Sequence, residues 1–163
     1  MALTKLNSAS VIERLPVGSI IKIDKVKSST VTTTSDANFT DANGLTLSFT
    51  PRLASSTLKI TADVQFKHQK TSSDNSGGTF VIVHDGTIID NTPETYELYD
   101  QSSGGGATES NHYMRATKTT FISASNTNAR TIKVQIRRYG TSDASINWGN
   151  AFTSHLIVEE IKE

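Results

Sequence analysis

The sequence predicts an all-β fold, an antiparallel, jelly-roll-like β-sandwich of about eight to ten strands with a short N-terminal arm. Three observations predict it. Leu58, Ile60, Ala62, Val64 and Phe66 alternate with Lys59, Thr61, Asp63, Gln65 and Lys67, which gives a strand one dry face and one wet face. Similar short runs recur between turn residues along the chain, with no sustained helical period. Serine and threonine are abundant, while hydrophobic residues fill only 35% of the 163 positions, a composition suited to sheets with polar exteriors.

Residues 1–17 read as an anchoring arm and 18–163 as one sandwich domain. In the arm, Ser10 and Glu13 have the spacing of a capping box. Leu6, Val11, Ile12 and Leu15 can line one side of a single helical turn before Pro16 stops it; a frayed leader is the alternative. An apolar arm of this kind suits gripping a neighbour. Residues 18–26 (GSIIKIDKV) follow as a strand with Ile21 and Ile23 on one face, and the Thr-rich stretch 30–34 as a solvent-facing edge strand. Asn43-Gly44 supplies the turn that launches Leu45, Leu47 and Phe49. Pro51 lacks the N–H a ladder needs, so that strand ends and 52–56 connect it to the central strand.

The loop 70–78 (KTSSDNSGG) leads to a short apolar run, 79–84 (TFVIVH), suited to a buried strand, and Asp85-Gly86 marks a tight hairpin. From 91 to 111 the pattern dissolves, with Pro93 and Gly104-Gly105-Gly106 excluding a continuous strand or helix. Periodicity returns in 113–123 and in 131–139, where Ile132, Val134 and Ile136 face inward. Residues 145–148 start another strand, and 154–161 (SHLIVEEI) form the last.

With 16 basic and 16 acidic residues the net charge is zero, so no positive field exists to hold a nucleic-acid backbone or an anionic membrane, and neither is an expected partner. The absence of cysteine excludes disulfides, thiolate metal sites and cysteine nucleophiles. The opening MALTKLNSAS lacks the apolar core of a signal peptide, and no run approaches the ~20 apolar residues that cross a bilayer, so a soluble, non-secreted product is the expectation. The thin apolar content favours burial against sister copies, hence an oligomer.

Reactive constellations are sparse. His68, His84, His112 and His155 lack the spacing of a metalloprotease helix, no G-x-S-x-G segment exists, and the glycine run is not followed by Lys-Ser or Lys-Thr. Carboxylates such as Glu97 and Asp100, or Glu109 with Asp143, could meet across a cleft as a glycosidase pair, but any chain with 16 carboxylates offers such pairs. The expectation is no enzyme, no metal and no cofactor. Aromatics in polar surroundings are the better lead: Tyr96, Tyr99 and Tyr113 flank the irregular stretch, and Trp148 is the sole tryptophan. Exposed rings stack on the C–H faces of sugars while neighbouring amides read hydroxyls. The alternative is that Trp148 is core and the tyrosines pack against the sandwich or across a subunit seam.

Three segments in this order, LPVGSIIKI (15–23), FTDANGLTLSFTPRLASSTLKITADVQF (39–66) and INWGNAFTSHLIVEEIKE (146–163), carry a resemblance. They resemble small structural proteins and fibre-tip domains of tailed bacteriophages, especially marine ones, which share a G-S-[IV]-[IL]-x-[IV] opening strand, an S-[FI]-T-P turn and a closing L-x-[VI]-x-E-[IL]. Thr57-Leu58 departs from the Ser-Lys common in that group. The resemblance implies a virion protein with a jelly-roll sandwich, often trimeric and without enzymatic activity. The resulting expectation is a homotrimer on the virion whose residues 1–17 dock onto other capsid or tail proteins while the sandwich projects as a fibre tip, knob or capsid decoration. A host-surface glycan bound by loops 70–78 and 91–113 is the alternative.

Overall fold

The structure, a computed structural model, describes residues 8–70, 75–90, 97–100, 110–141, 143–148 and 152–163. Among the described residues a short helix, α1 (Ser8–Glu13), precedes eleven strands: β1 (Ile20–Ser28), β2 (Thr32–Thr34), β3 (Thr40–Phe49), β4 (Thr57–Lys70), β5 (Ser76–His84), β6 (Thr87–Ile88), β7 (Leu98–Asp100), β8 (Ser110–Ser123), β9 (Arg130–Gly140), β10 (Asp143–Ile146) and β11 (Ser154–Ile161). All pairings are antiparallel.

The eleven segments occupy eight positions, because β6 and β7 lie end to end along β5, β10 and β11 along β4, and β1 and β2 along β11 and β10. Across the first sheet run β8, β4, then β11 and β10 end to end, then β1 and β2; across the second run β3, β9, β5, then β6 and β7. The first position pairs with the eighth, the second with the seventh, the third with the sixth and the fourth with the fifth. That nesting is the connectivity of a jelly roll, a long hairpin rolled on itself. The strand count exceeds the sequence expectation because interruptions split three positions.

The even-numbered face of β4, Leu58 to Phe66, is fully buried and meets Leu45, Phe49, Phe80, Ile82 and Val134 of the second sheet. The rings of Phe66 and Phe80 stand 6.1 Å apart across the gap. β5 is buried on both faces from Ser76 to Val83, as its unbroken apolar run suggests. At Asp85-Gly86 both turn residues have positive φ, 46° and 86°, the geometry that matches a two-residue loop to the twist of its strands.

Two sequence expectations change at bulges. β1 shifts register between Ile20 and Lys22, so Ile23 points outward at 54% exposure while Val26 packs against the core. Lys22 then lies over the Phe49 ring, 4.2 Å from its centroid, and donates to Thr50 O at 2.9 Å. Asn43-Gly44 is no turn but a bulge within β3, between Asp41 and Thr46. Gly44 has φ +74°, and a Cβ there would sit 2.6 Å from Ser28 Oγ, which donates to Asn43 O at 2.8 Å. The bulge thus plugs the break between β1 and β2. β2 is an edge strand as expected, yet Thr32 and Thr34 are buried; Thr32 Oγ1 accepts from Asn43 N at 2.7 Å.

The arm is tied to its own domain. Lys162 Nζ donates to Glu13 O and Leu15 O, both at 2.7 Å, satisfying carbonyls at the end of α1. Ser10 lies within the helix rather than capping it. The 52–56 connection is held by Glu160, which is fully buried: its carboxylate accepts from Arg52 N (2.8 Å), Leu53 N (2.8 Å) and Ser56 Oγ (2.8 Å). Glu160→Ala removes one acceptor from three donors at once. It is expected to lower unfolding free energy by about 3 kcal/mol, read as a fall in urea midpoint without a change in slope.

Candidate functional site

The site begins with a mismatch between β4 and its partner. β4 is continuous, but β10 ends opposite Phe66 and β11 resumes opposite Asp63, so eight residues of sequence, 147–154, separate partners of β4 that are only three positions apart. The excursion is pinned at both ends. Asn147, with φ 56° and no exposed surface, donates from Nδ2 to Ser28 O (2.8 Å) and Thr30 O (3.2 Å). Ser154 Oγ donates to Asn147 Oδ1 at 2.6 Å and accepts from Gln65 N at 3.0 Å, while Asn147 N donates to Gln65 O at 2.9 Å. Asparagine tolerates the left-handed region, and its amide ties both halves of the first position to the eighth.

The clamp sets Trp148 and Phe152 on the outer side of the first sheet. Trp148 packs between Tyr113 of β8, centroids 4.0 Å apart, and Phe152, 4.5 Å apart, with tilts of 36° and 35°. Tyr113 stands outward because it pairs with Lys67, whose Nζ is 5.8 Å from the tyrosine ring centroid. Tyr113 is 49% exposed, and Trp148 and Phe152 are half-buried. The result is an aromatic ledge with an ammonium group beside it.

Of the aromatics singled out in the sequence, Tyr113 and Trp148 meet, and Tyr113 belongs to a strand rather than to the 91–113 loop. Tyr99 lies on the second sheet, paired with Tyr139 at 6.1 Å. Both flank Gly77, one from β7 and one from β9. Of the expected 70–78 loop, Lys70 ends β4 and 76–78 begin β5, while 71–74, 91–96 (Tyr96 among them), 101–109 and Leu6 of the arm lie outside the described residues. The arm's other apolar residues divide: Ile12 is buried within its own chain, Leu15 is half-buried and Val11 is exposed. Phe152 and Tyr139 were missed because each falls at the margin of a periodic run, where alternation no longer reports which way a ring points.

Between the two aromatic groups, at the same end of the sandwich, is a polar cluster. Asp100 takes Lys70 Nζ at 3.2 Å, Ser110 Oγ at 2.9 Å and His112 Nε2 at 3.2 Å. The Ser110 hydroxyl holds the Asp100 carboxyl below its usual range. Glu97 turns to Lys118 instead (2.6 Å), so Glu97 and Asp100 serve different cations. His68 stacks on His112 at 6.0 Å, is fully buried, and has neither ring nitrogen hydrogen-bonded. Burial first, then the neighbouring His112, pushes His68 down to about 4. At the opposite end, an open groove of about 370 Å³ runs past Asp85, Asn126 and Arg130. Its arginine is already bonded to Ala124 O and to Asn126.

No protein-family profile matches this chain, and no curated protein is similar to it in sequence.

His68 makes the fold sensitive to acid. Its folded pKa of about 4 lies below the unfolded 6.5, so above pH 6.5 it costs nothing. As pH falls through 6.5 the unfolded chain takes up the proton first, and stability drops until about pH 4, a loss of roughly 3 kcal/mol. The urea midpoint is expected to decline across that window and to decline less in His68→Leu. The difference between the two proteins reports this histidine together with its coupling to His112 and Asp100.

Proposed function

We propose that the chain is a non-enzymatic virion structural protein of a tailed bacteriophage. It is a jelly-roll module that projects from the particle as a fibre tip, knob or capsid decoration and assembles as a homotrimer. The observation that carries the assembly is the outer face of the first sheet. Ile23, Glu159, Lys59 and Phe121 form one row across β1, β11, β4 and β8. The row has exposed apolar ends, with Phe121 at 59%, around a Lys59–Glu159 ion pair of 2.6 Å. Ile20 is exposed on the same face, and Val17 just before β1 is bare. Apolar groups gathered beside a neutralised pair are suited to burial against another copy. The virion assignment itself is supported by the resemblance of the three segments and by the jelly-roll connectivity, an architecture of capsid domains.

Light scattering is expected to give three copies per particle in solution, and Ile23→Asp with Phe121→Asp to give a monomer of unchanged circular dichroism. A monomeric parent chain overturns the trimer. Immunogold labelling of purified particles is expected to mark a tail tip or capsid surface; unlabelled particles overturn the virion role.

The Tyr113–Trp148–Phe152 ledge favours a second reading, a glycan-binding module for host recognition. Rings with exposed faces beside Lys67 and Gln69 offer a stacking surface with polar groups at its rim. Oligosaccharides that bind are expected to change Trp148 fluorescence, and Tyr113→Ala to weaken them ~10-fold, equivalent to about 1.4 kcal/mol. A glycan array without binders removes this reading.

A further inference from the structure

The open edge of the sandwich, where β8 faces the β6 and β7 side of the second sheet, holds a lysine between two carboxylates. Lys118 lies on the inward face of β8, in line with Met114, Ala116 and Ile122 of the core. Its side chain is 13% exposed. Lys118 Nζ crosses to the other sheet, donates to Phe80 O at 2.5 Å and lies 4.7 Å from the centre of the Phe80 ring. Glu97 Oε1 is 2.6 Å from Nζ, and Asp90 Oδ2 is 3.7 Å from it.

The two carboxylates are not equivalent. Glu97 is in direct contact and completes a neutral pair with the ammonium. Asp90 has a side chain with no exposed surface, and neither of its oxygens has a hydrogen-bond partner. Burial raises the Asp90 carboxyl above the ordinary range, against the opposing pull of the backbone amides of Ile82 and Asp90 and of the Lys118 charge. A buried carboxyl whose oxygens make no well-formed hydrogen bond is a costly feature in a resting structure. It is also an electrophile held beside an amine in a site poor in water.

We infer that Lys118 and Asp90 join in an intramolecular isopeptide bond, with Glu97 carrying the proton. Glu97 takes a proton from the Lys118 ammonium, leaving a neutral amine and a neutral Glu97. The amine nitrogen attacks Cγ of the protonated Asp90 carboxyl, forming the C–N bond. Glu97 gives its proton to the departing hydroxyl and receives one from the nitrogen, so the C–O bond breaks and one water leaves. Ammonium, Glu97 carboxylate and Asp90 acid become amide, water and Glu97 acid, with zero net charge before and after. No oxidant or second reactant is needed.

The sandwich supplies what the step requires. Lys118 on β8 and Asp90 just after β6 are held with the nitrogen 3.7 Å from a carboxyl oxygen, which replaces an encounter with an intramolecular approach. Forming the amide also removes a buried ion pair whose desolvation the fold otherwise bears. The bond would staple β8 to the segment after β6 in a chain that has no cysteine. The inference does not rest on the virion role.

The test is the mass of the folded full chain. It is expected to fall short of the sequence mass by one water, with digestion yielding a branched peptide that joins Lys118 to Asp90 and no cleavage after Lys118. Glu97→Gln and the nearly isosteric Lys118→Met are expected to keep the full mass. A parent chain that is folded by circular dichroism and keeps its full sequence mass after prolonged incubation overturns the bond, so the decision does not depend on a variant that folds. A lost water that maps to Asp85-Gly86 as a succinimide also overturns it. Loss of water in Glu97→Gln at the parental rate overturns the assignment of the proton carrier.

Discussion

β4 sets the register of the whole sandwich. It is paired on one edge with β8 over all fourteen of its residues, and on the other with β11 and β10 in succession. Its strict alternation admits one register for each partner, because a slip of one residue would send Leu58 to Phe66 into water and bring Lys59 to Lys67 into the core. An unbroken strand opposite a broken one also creates the surplus of chain at 147–154. The aromatic ledge exists because β4 does not bend to accommodate its neighbour.

Buried polar groups sit where strands are interrupted. Asn147 and Ser154 join the break between β10 and β11 to the gap after β1; the β3 bulge fills that same gap from the other sheet; Glu160 anchors the crossing from β3 to β4. Each irregularity exposes backbone donors or acceptors that a ladder would have satisfied, and each is answered by a side chain from a distant part of the sequence. In a domain with few hydrophobic residues, such bonds fix the corners that packing alone leaves loose.

The surfaces divide the functional possibilities. The outer face of the first sheet offers apolar ends and a neutralised centre at β1 and β8, and aromatic rings with a lysine further along the same face. The first arrangement suits a copy of the chain and the second suits a polar ligand with a C–H face, so the two roles can coexist on one sheet. The Lys118 site lies apart from both, at the edge where, among the described residues, β6 pairs with one end of β5 and β7 with the other. A covalent staple there would join β8 of the first sheet to the chain just after β6 of the second.

Local pattern determined the predominantly β fold, the inward face of β4 and β9, the buried β5 and the Asp85-Gly86 hairpin, because each rests on the period of two, on an unbroken apolar run or on φ preferences that neighbouring residues carry themselves. It also marked Tyr113 and Trp148 as rings in polar company, but not that they touch. Ile23 shows the limit: one extra residue at Ile20 to Lys22 reverses every side chain that follows, and no glycine or proline marks that bulge in the sequence. The meeting of Tyr113, Trp148 and Phe152, and of Lys118 with Asp90 and Glu97, was decided by tertiary structure alone. These groups come from segments that only the nesting of eight positions brings together, and long-range registry leaves no mark in a local pattern.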